Sequence, residues 1–209
     1  MIARAAVAAL VALGLSAGAG AEAVTAAAVT PVAPRLLAAA RLQGYWTASG
    51  VVTKAVNVPG ERRGDRVTRT WAFVPPCPAG ACPTLRLVRQ RGPGYDTVLL
   101  HRTAPGVYVG TGSFYAPTRC RQTVYGKGER VPFTIRVTIT GVARQPDGSV
   151  LVTTFAATYR NPERFGLTRC FSAPSYDSAS YAGVPATPPP PAPSGAIRRE
   201  RRMPSSAGS

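Results

Sequence analysis

From Phe133 to Thr140 apolar and polar residues alternate at every step. A period of two places Phe133, Ile135, Val137 and Ile139 on one face of an extended strand and Thr134, Arg136, Thr138 and Thr140 on the other. One face is core and one meets solvent. Gln145-Pro146-Asp147-Gly148 then reads as a turn, because proline presets the first bend and glycine accepts a positive φ. The run from Ser149 to Arg160 is predicted to return antiparallel, with Leu151, Phe155 and Tyr159 on a shared face. Similar runs bounded by Gly or Pro occur at 45–56, 67–74, 84–90, 95–102 and 106–113, with a weaker one at 119–126. Eight short strands with no helical crossover predict an all-β antiparallel meander. A closed or partly closed barrel and a two-sheet sandwich both satisfy this count. The barrel leaves no open edge, and short connections suit up-and-down order.

The two ends of the chain lack this pattern. Met1 to Arg4 carries one positive charge, Ala5 to Leu15 has no polar side chain, and Ala21-Glu22-Ala23 follows. These are the three parts of a secretory signal peptide, so residues 1–23 are predicted to be removed on export. The first cysteine is Cys77, so no thiol stands near the new N-terminus for lipid attachment. No later stretch is long and apolar enough for a transmembrane helix. Residues 24–41 read as an Ala/Pro-rich linker in which Arg35 to Leu42 has helical character. The barrel domain is assigned to 42–182. Residues 183–209 hold Pro188-Pro-Pro-Pro191-Ala-Pro193 and Arg198-Arg199-Glu200-Arg201-Arg202, and read as an extended, disordered basic tail. The expected location is secreted or extracytoplasmic.

Cys77, Cys82, Cys120 and Cys170 form an even set in a chain read as exported, which favours two disulfides. The ends of Cys77-Pro-Ala-Gly-Ala-Cys82 lie close in sequence, so these two are paired locally and Cys120 is paired with Cys170. The spacing is not C-x2-C and the single histidine, His101, has no partner for a zinc site. No metal and no cofactor is expected.

Gly44-Tyr45-Trp46 opens the first strand just after the helical candidate. This resembles the G-x-W element that begins lipocalins and related calycins. The resemblance implies a calycin-like barrel whose tryptophan closes one end beneath an arginine from the end of the last strand, a place for Arg160 or Arg169. It also implies an interior that holds a small apolar ligand, with Trp71, Phe73, Phe155 and Tyr159 as the candidate cavity lining. The chain is also similar in general character to secreted single-domain proteins of actinobacteria, which have a C-x4-C hairpin and two further cysteines and to which no activity is attached.

Catalytic groups do not converge in the sequence. His101 is followed by Arg102, and no carboxylate is local to orient it as a general base. Glu61, Asp65, Asp96, Glu129, Asp147, Glu163 and Asp177 sit beside Gly, Arg or turn residues, so turn chemistry and surface pairing account for them. No G-x-S-x-G, H-E-x-x-H or phosphate-binding glycine loop is present. The chain is read as non-enzymatic, with no catalytic residues assigned.

Charge changes the picture most. Lys and Arg number 25 against 9 Asp and Glu, for a net +16, and all the basic residues except Lys54 and Lys127 are arginine. Arginine binds phosphate and carboxylate through a planar fork. A G- and C-rich genome would favour arginine over lysine, but that bias does not account for so few acids. Arg86, Arg89 and Arg91 form the purest basic cluster and are the candidate anionic-surface patch. Aromatic residues are not interleaved with the basic ones, which argues against nucleic acid as the partner. The expected function is a secreted binding domain for an anionic envelope polymer or lipid surface, or for a small apolar ligand. The alternative is a structural envelope-associated protein attached through its Pro-rich basic tail. The oligomeric state is not legible.

Overall fold

The structure is a computed structural model that describes residues 32–91, 94–170 and 173–187. Residues 1–23, read as a signal peptide, and residues 188–209 of the segment read as a Pro-rich tail lie outside the described residues. A short helix, α1 (Pro34–Ala39), precedes nine strands. They are β1 (Gly44–Val56), β2 (Arg66–Val74), β3 (Thr84–Arg91), β4 (Gly94–Ala104), β5 (Val107–Cys120), β6 (Thr123–Arg144), β7 (Val150–Asn161), β8 (Phe165–Gly166) and β9 (Tyr176–Pro185).

Sequential antiparallel pairing runs from β1 to β7, β9 pairs with both β7 and β1, and the ring is complete. This is a closed eight-stranded barrel, with β8 as an extra strand paired to β6 at Glu129 and Arg130, beyond the end of its pairing with β7. The two-sheet sandwich is set aside by this closure. The alternating run behaves as its period requires: Val131, Phe133, Ile135, Val137 and Ile139 are all buried. Gly148 has φ +83°, and its amide donates to Gln145 O at 2.9 Å, as the turn demands. The Ser149 amide donates to an Asp147 carboxylate oxygen, and hydrogen bonds from Ser149 hold the Asp147 carboxyl below its ordinary pKa.

Three strand expectations need correction. The run at 119–126 is no strand of its own, because it spans the tip joining β5 to β6, with Cys120 opposite Thr123. The eighth barrel strand is β9, which the domain boundary at 182 cuts short. Leu151 does not share the inward face of Phe155. Register shifts at Ile139/Gly141 and Gly141/Val142 leave Thr153 as an extra residue, so Val150 and Val152 face inward instead.

One end of the barrel is plugged. Leu36 and Leu37 of α1 pack against the core, and Ala40 and Leu42 are buried beneath them. The Arg41 backbone bridges to Leu151, and its guanidinium donates to Cys77 O at 2.9 Å. The buried Tyr108 donates to Cys82 O at 3.1 Å, and burial holds its hydroxyl above the ordinary pKa. The residues read as a linker thus belong to the fold from α1 onward.

Inside, Trp71 stacks on Phe155 with ring centroids 5.7 Å apart, and Trp46 and Phe73 pack around that pair. Phe155 requires the residue opposite it to be glycine: a Cβ on Gly183 would lie 2.1 Å from its ring. Gly183→Ala should therefore lower stability by about 1–3 kcal/mol through overpacking, read as a drop in the thermal midpoint. Cys77 and Cys82 stand 5.8 Å apart at Cα, and Cys120 and Cys170 5.6 Å, so both expected pairs are at disulfide distance. On the chain-entropy relation the longer loop is worth about 4 kcal/mol and the shorter about 2. Cys120→Ser should accordingly depress the melting temperature more than Cys77→Ser, and no free thiol should react in the oxidised protein.

Candidate functional site at the open end

The loops opposite the plug form a mouth. They are the β1–β2 connection, the adjoining ends of β3 and β4, the β5–β6 tip and the described residues 162–170 and 173–175 between β7 and β9. β9 presents Asp177, Ala179, Tyr181 and Gly183 inward, by strand alternation. Near the mouth the inward positions become charged.

Arg164, 7 % exposed, donates to Asp177 Oδ1 through Nε at 3.1 Å and Nη2 at 2.8 Å. Its Nη1 lies 3.4 Å from Glu129 Oε2, and Glu129 also accepts from the Thr118 hydroxyl at 3.1 Å. Burial acts to lower the Arg164 pKa, but the hydrogen bond and charge of Asp177, together with the charges of Glu61 and Tyr159, outweigh it and hold the guanidinium above its ordinary value. Arg89, 5 % exposed, makes a two-point fork to Asp96, with Nε to Oδ1 at 2.7 Å, across the β3–β4 register. Its guanidinium carbon sits 4.1 Å from the centroid of the Phe133 ring, a desolvated cation–π contact.

Between these networks lies a cavity of about 50 Å³, whose walls include Arg69, Trp71, Arg89, Tyr159, Arg164 and Tyr181. Small-molecule pockets are usually about 300–1,000 Å³. The barrel interior is filled. Trp71, Phe73, Phe155 and Tyr159 are brought together as the sequence suggested, but they pack on one another and on Phe133; of the four, only Trp71 and Tyr159 reach the cavity.

The basic cluster on β3 is not one patch. Arg86 is exposed on the outer wall and Arg89 is buried inside, because residues three apart on a strand point to opposite faces. The Arg91 side chain lies outside the described residues. The arginine expected above Trp46 is not found there either. Arg160 is exposed at the mouth end of β7, Arg169 is exposed beyond β8, and the Trp46 indole instead donates to Gln43 O at 2.9 Å. His101 is exposed on β4.

What sequence reading missed is the use made of the acids. Asp96, Glu129 and Asp177 hold buried arginines, while Asp65 accepts from the Arg62 amide at 2.7 Å and Asp147 closes its turn. The exposed basic side chains around the mouth include Lys54, Arg62, Arg63, Arg130 and Arg160. Among the described residues no group of His, Cys, Asp and Glu is placed to hold a metal ion, and no helix is long and apolar enough to cross a membrane. Comparison of the chain with protein-family models, curated proteins and solved structures finds no match.

Removing Arg164 would strand two buried carboxylates. Arg164→Met should cost about 3–5 kcal/mol in denaturant unfolding, and adding Asp177→Asn and Glu129→Gln to it should recover much of that loss.

Proposed function

We propose that this is an exported, non-enzymatic binding domain that attaches to an anionic surface or polymer through the open end of its barrel. The observation that carries the reading is the sorting of charge. Asp96, Glu129 and Asp177 are drawn inward against Arg89 and Arg164, and around the mouth the exposed Lys54, Arg62, Arg63, Arg130 and Arg160 outnumber the exposed Glu163. Such a rim attracts polyanions and accelerates their capture. The paired cysteines fit an oxidising compartment, in keeping with export. The filled interior favours this reading over an enclosed apolar ligand, and the engagement of Asp96, Glu129 and Asp177 with arginines favours binding over acid–base catalysis.

Binding to soluble polyphosphate should be strong at about 50 mM salt and fall steeply by about 200 mM, as released counterions cease to favour it. Arg62→Glu combined with Arg63→Glu should weaken it at least tenfold, since both side chains are exposed in the β1–β2 loop. Salt-independent binding of a hydrophobic probe with no polyanion affinity would reverse the assignment. Deleting residues 188–209 separates the barrel from the tail: full retention of binding excludes attachment through the tail, and complete loss would mean that the tail alone attaches.

A further inference from the structure

β5 and β6 outrun the barrel. Their pairing continues to Cys120 and Thr123, whereas β4 leaves β5 at Val109 and β7 leaves β6 at Thr134. Beyond Ala116 and Glu129 the two strands form an arm whose further support is β8 and the Cys120–Cys170 pair. At about 3.3 Å per residue the arm carries its tip roughly 15 Å past that level.

The tip has a composition of its own. Val124 is 55 % exposed, Tyr125 45 % and Leu167 54 %, with Phe165 and Tyr115 exposed behind them. Arg119, Arg121, Lys127 and Arg169 are exposed among these apolar groups, and no acid occurs from Tyr115 to Gly128 or from Phe165 to Cys170. Arg119 is the cross-strand partner of Val124, and Lys127 lies over the Tyr115 ring at 5.2 Å. An open furrow of about 890 Å³ separates the tip from the 167–170 segment, with Tyr125 and Leu167 on its walls and Arg121 and Arg169 beside them. An exposed apolar cluster ringed by cations and free of carboxylates is unfavourable in water and unsuited to a soluble polar partner. It matches the boundary of an anionic bilayer, where aromatic and aliphatic groups enter the acyl edge and Arg or Lys meet the phosphates.

We propose that the β5–β6 arm inserts its tip into the interfacial layer of an anionic phospholipid membrane, with Val124, Tyr125 and Leu167 entering the acyl boundary and Arg119, Arg121, Lys127 and Arg169 on the headgroup phosphates. Interfacial insertion reaches about 5–10 Å deep, so the arm is long enough to enter while the barrel stays in water. The disulfide fixes Leu167 and Arg169 beside the hairpin tip and presents both as one preformed edge. This inference rests on the anion-binding reading of the open end, and names a lipid surface as its partner.

The test uses the full mature chain and vesicles of phosphatidylglycerol and phosphatidylcholine. Val124→Trp places a reporter at the tip, apart from the buried Trp46 and Trp71. Its emission should shift to the blue on anionic vesicles and be quenched by lipids brominated near the headgroup end of the chain, with neither change on pure phosphatidylcholine. Val124→Ser with Leu167→Ser should lower partitioning roughly tenfold or more while leaving polyphosphate binding and the melting temperature unchanged. Each of Arg119→Gln and Arg121→Gln should lower it about fivefold. Polyphosphate binding with an unshifted tryptophan, or undiminished partitioning of the double serine variant, overturns insertion and leaves the anion-binding reading in place. Binding to neither polyphosphate nor vesicles overturns both.

Discussion

Closure of the ring at β9 is the constraint on which the rest of the structure depends. An eight-stranded barrel has room inside for side chains and little else. Two tryptophans and two phenylalanines from β1, β2 and β7 occupy one level of it. The strand that completes the ring must bring no side chain against Phe155, and β9 does so by placing Gly183 there, while its Tyr181 packs beside Trp71. A strand of ordinary hydrophobic alternation would overfill the interior and hold the wall open.

The same economy of volume shapes the mouth. Toward that end the aromatic stack gives way to Arg89 and Arg164, long side chains that fill space along their stems and must have carboxylates beside their heads. Three of the acids go to this use. What remains outside is a rim of arginines and an arm that carries both cations and apolar groups. The surface charge is therefore partly a result of how the interior is neutralised, and a change to the inner ion pairs would alter the outer field as well.

Much of the barrel was legible because Phe133 to Ile139 and the turn at Pro146-Asp147-Gly148 state their roles in strict alternation and in one glycine. The expected count of eight strands also agreed with the ring, although one member differed. The stretch 119–126 has strand composition and forms a hairpin tip, because its Arg121 can adopt φ +56°. β9 was hidden because its inward positions are Asp177, Ala179, Tyr181 and Gly183, which show no apolar period. The candidate site was less legible. Asp96 and Asp177 look like surface acids until the register sets Asp96 opposite Arg89 and places Asp177 inward, within reach of Arg164. The disulfide pairs, by contrast, needed only their spacing.

The pairing of β1 with β9 also has a bearing on how the molecule is made. Trp46 and Pro185 are register partners across about 140 residues of chain, a loop whose closure entropy must be met before the contact returns anything. Without β9 the other seven barrel strands would leave β1 and β7 as two open edges, each a template for pairing with another chain. β9, the last of the described strands in chain order, covers both edges at once. Closure over so long a loop is the kind of contact that slows folding, and the edges that β9 covers are the ones whose exposure would favour aggregation.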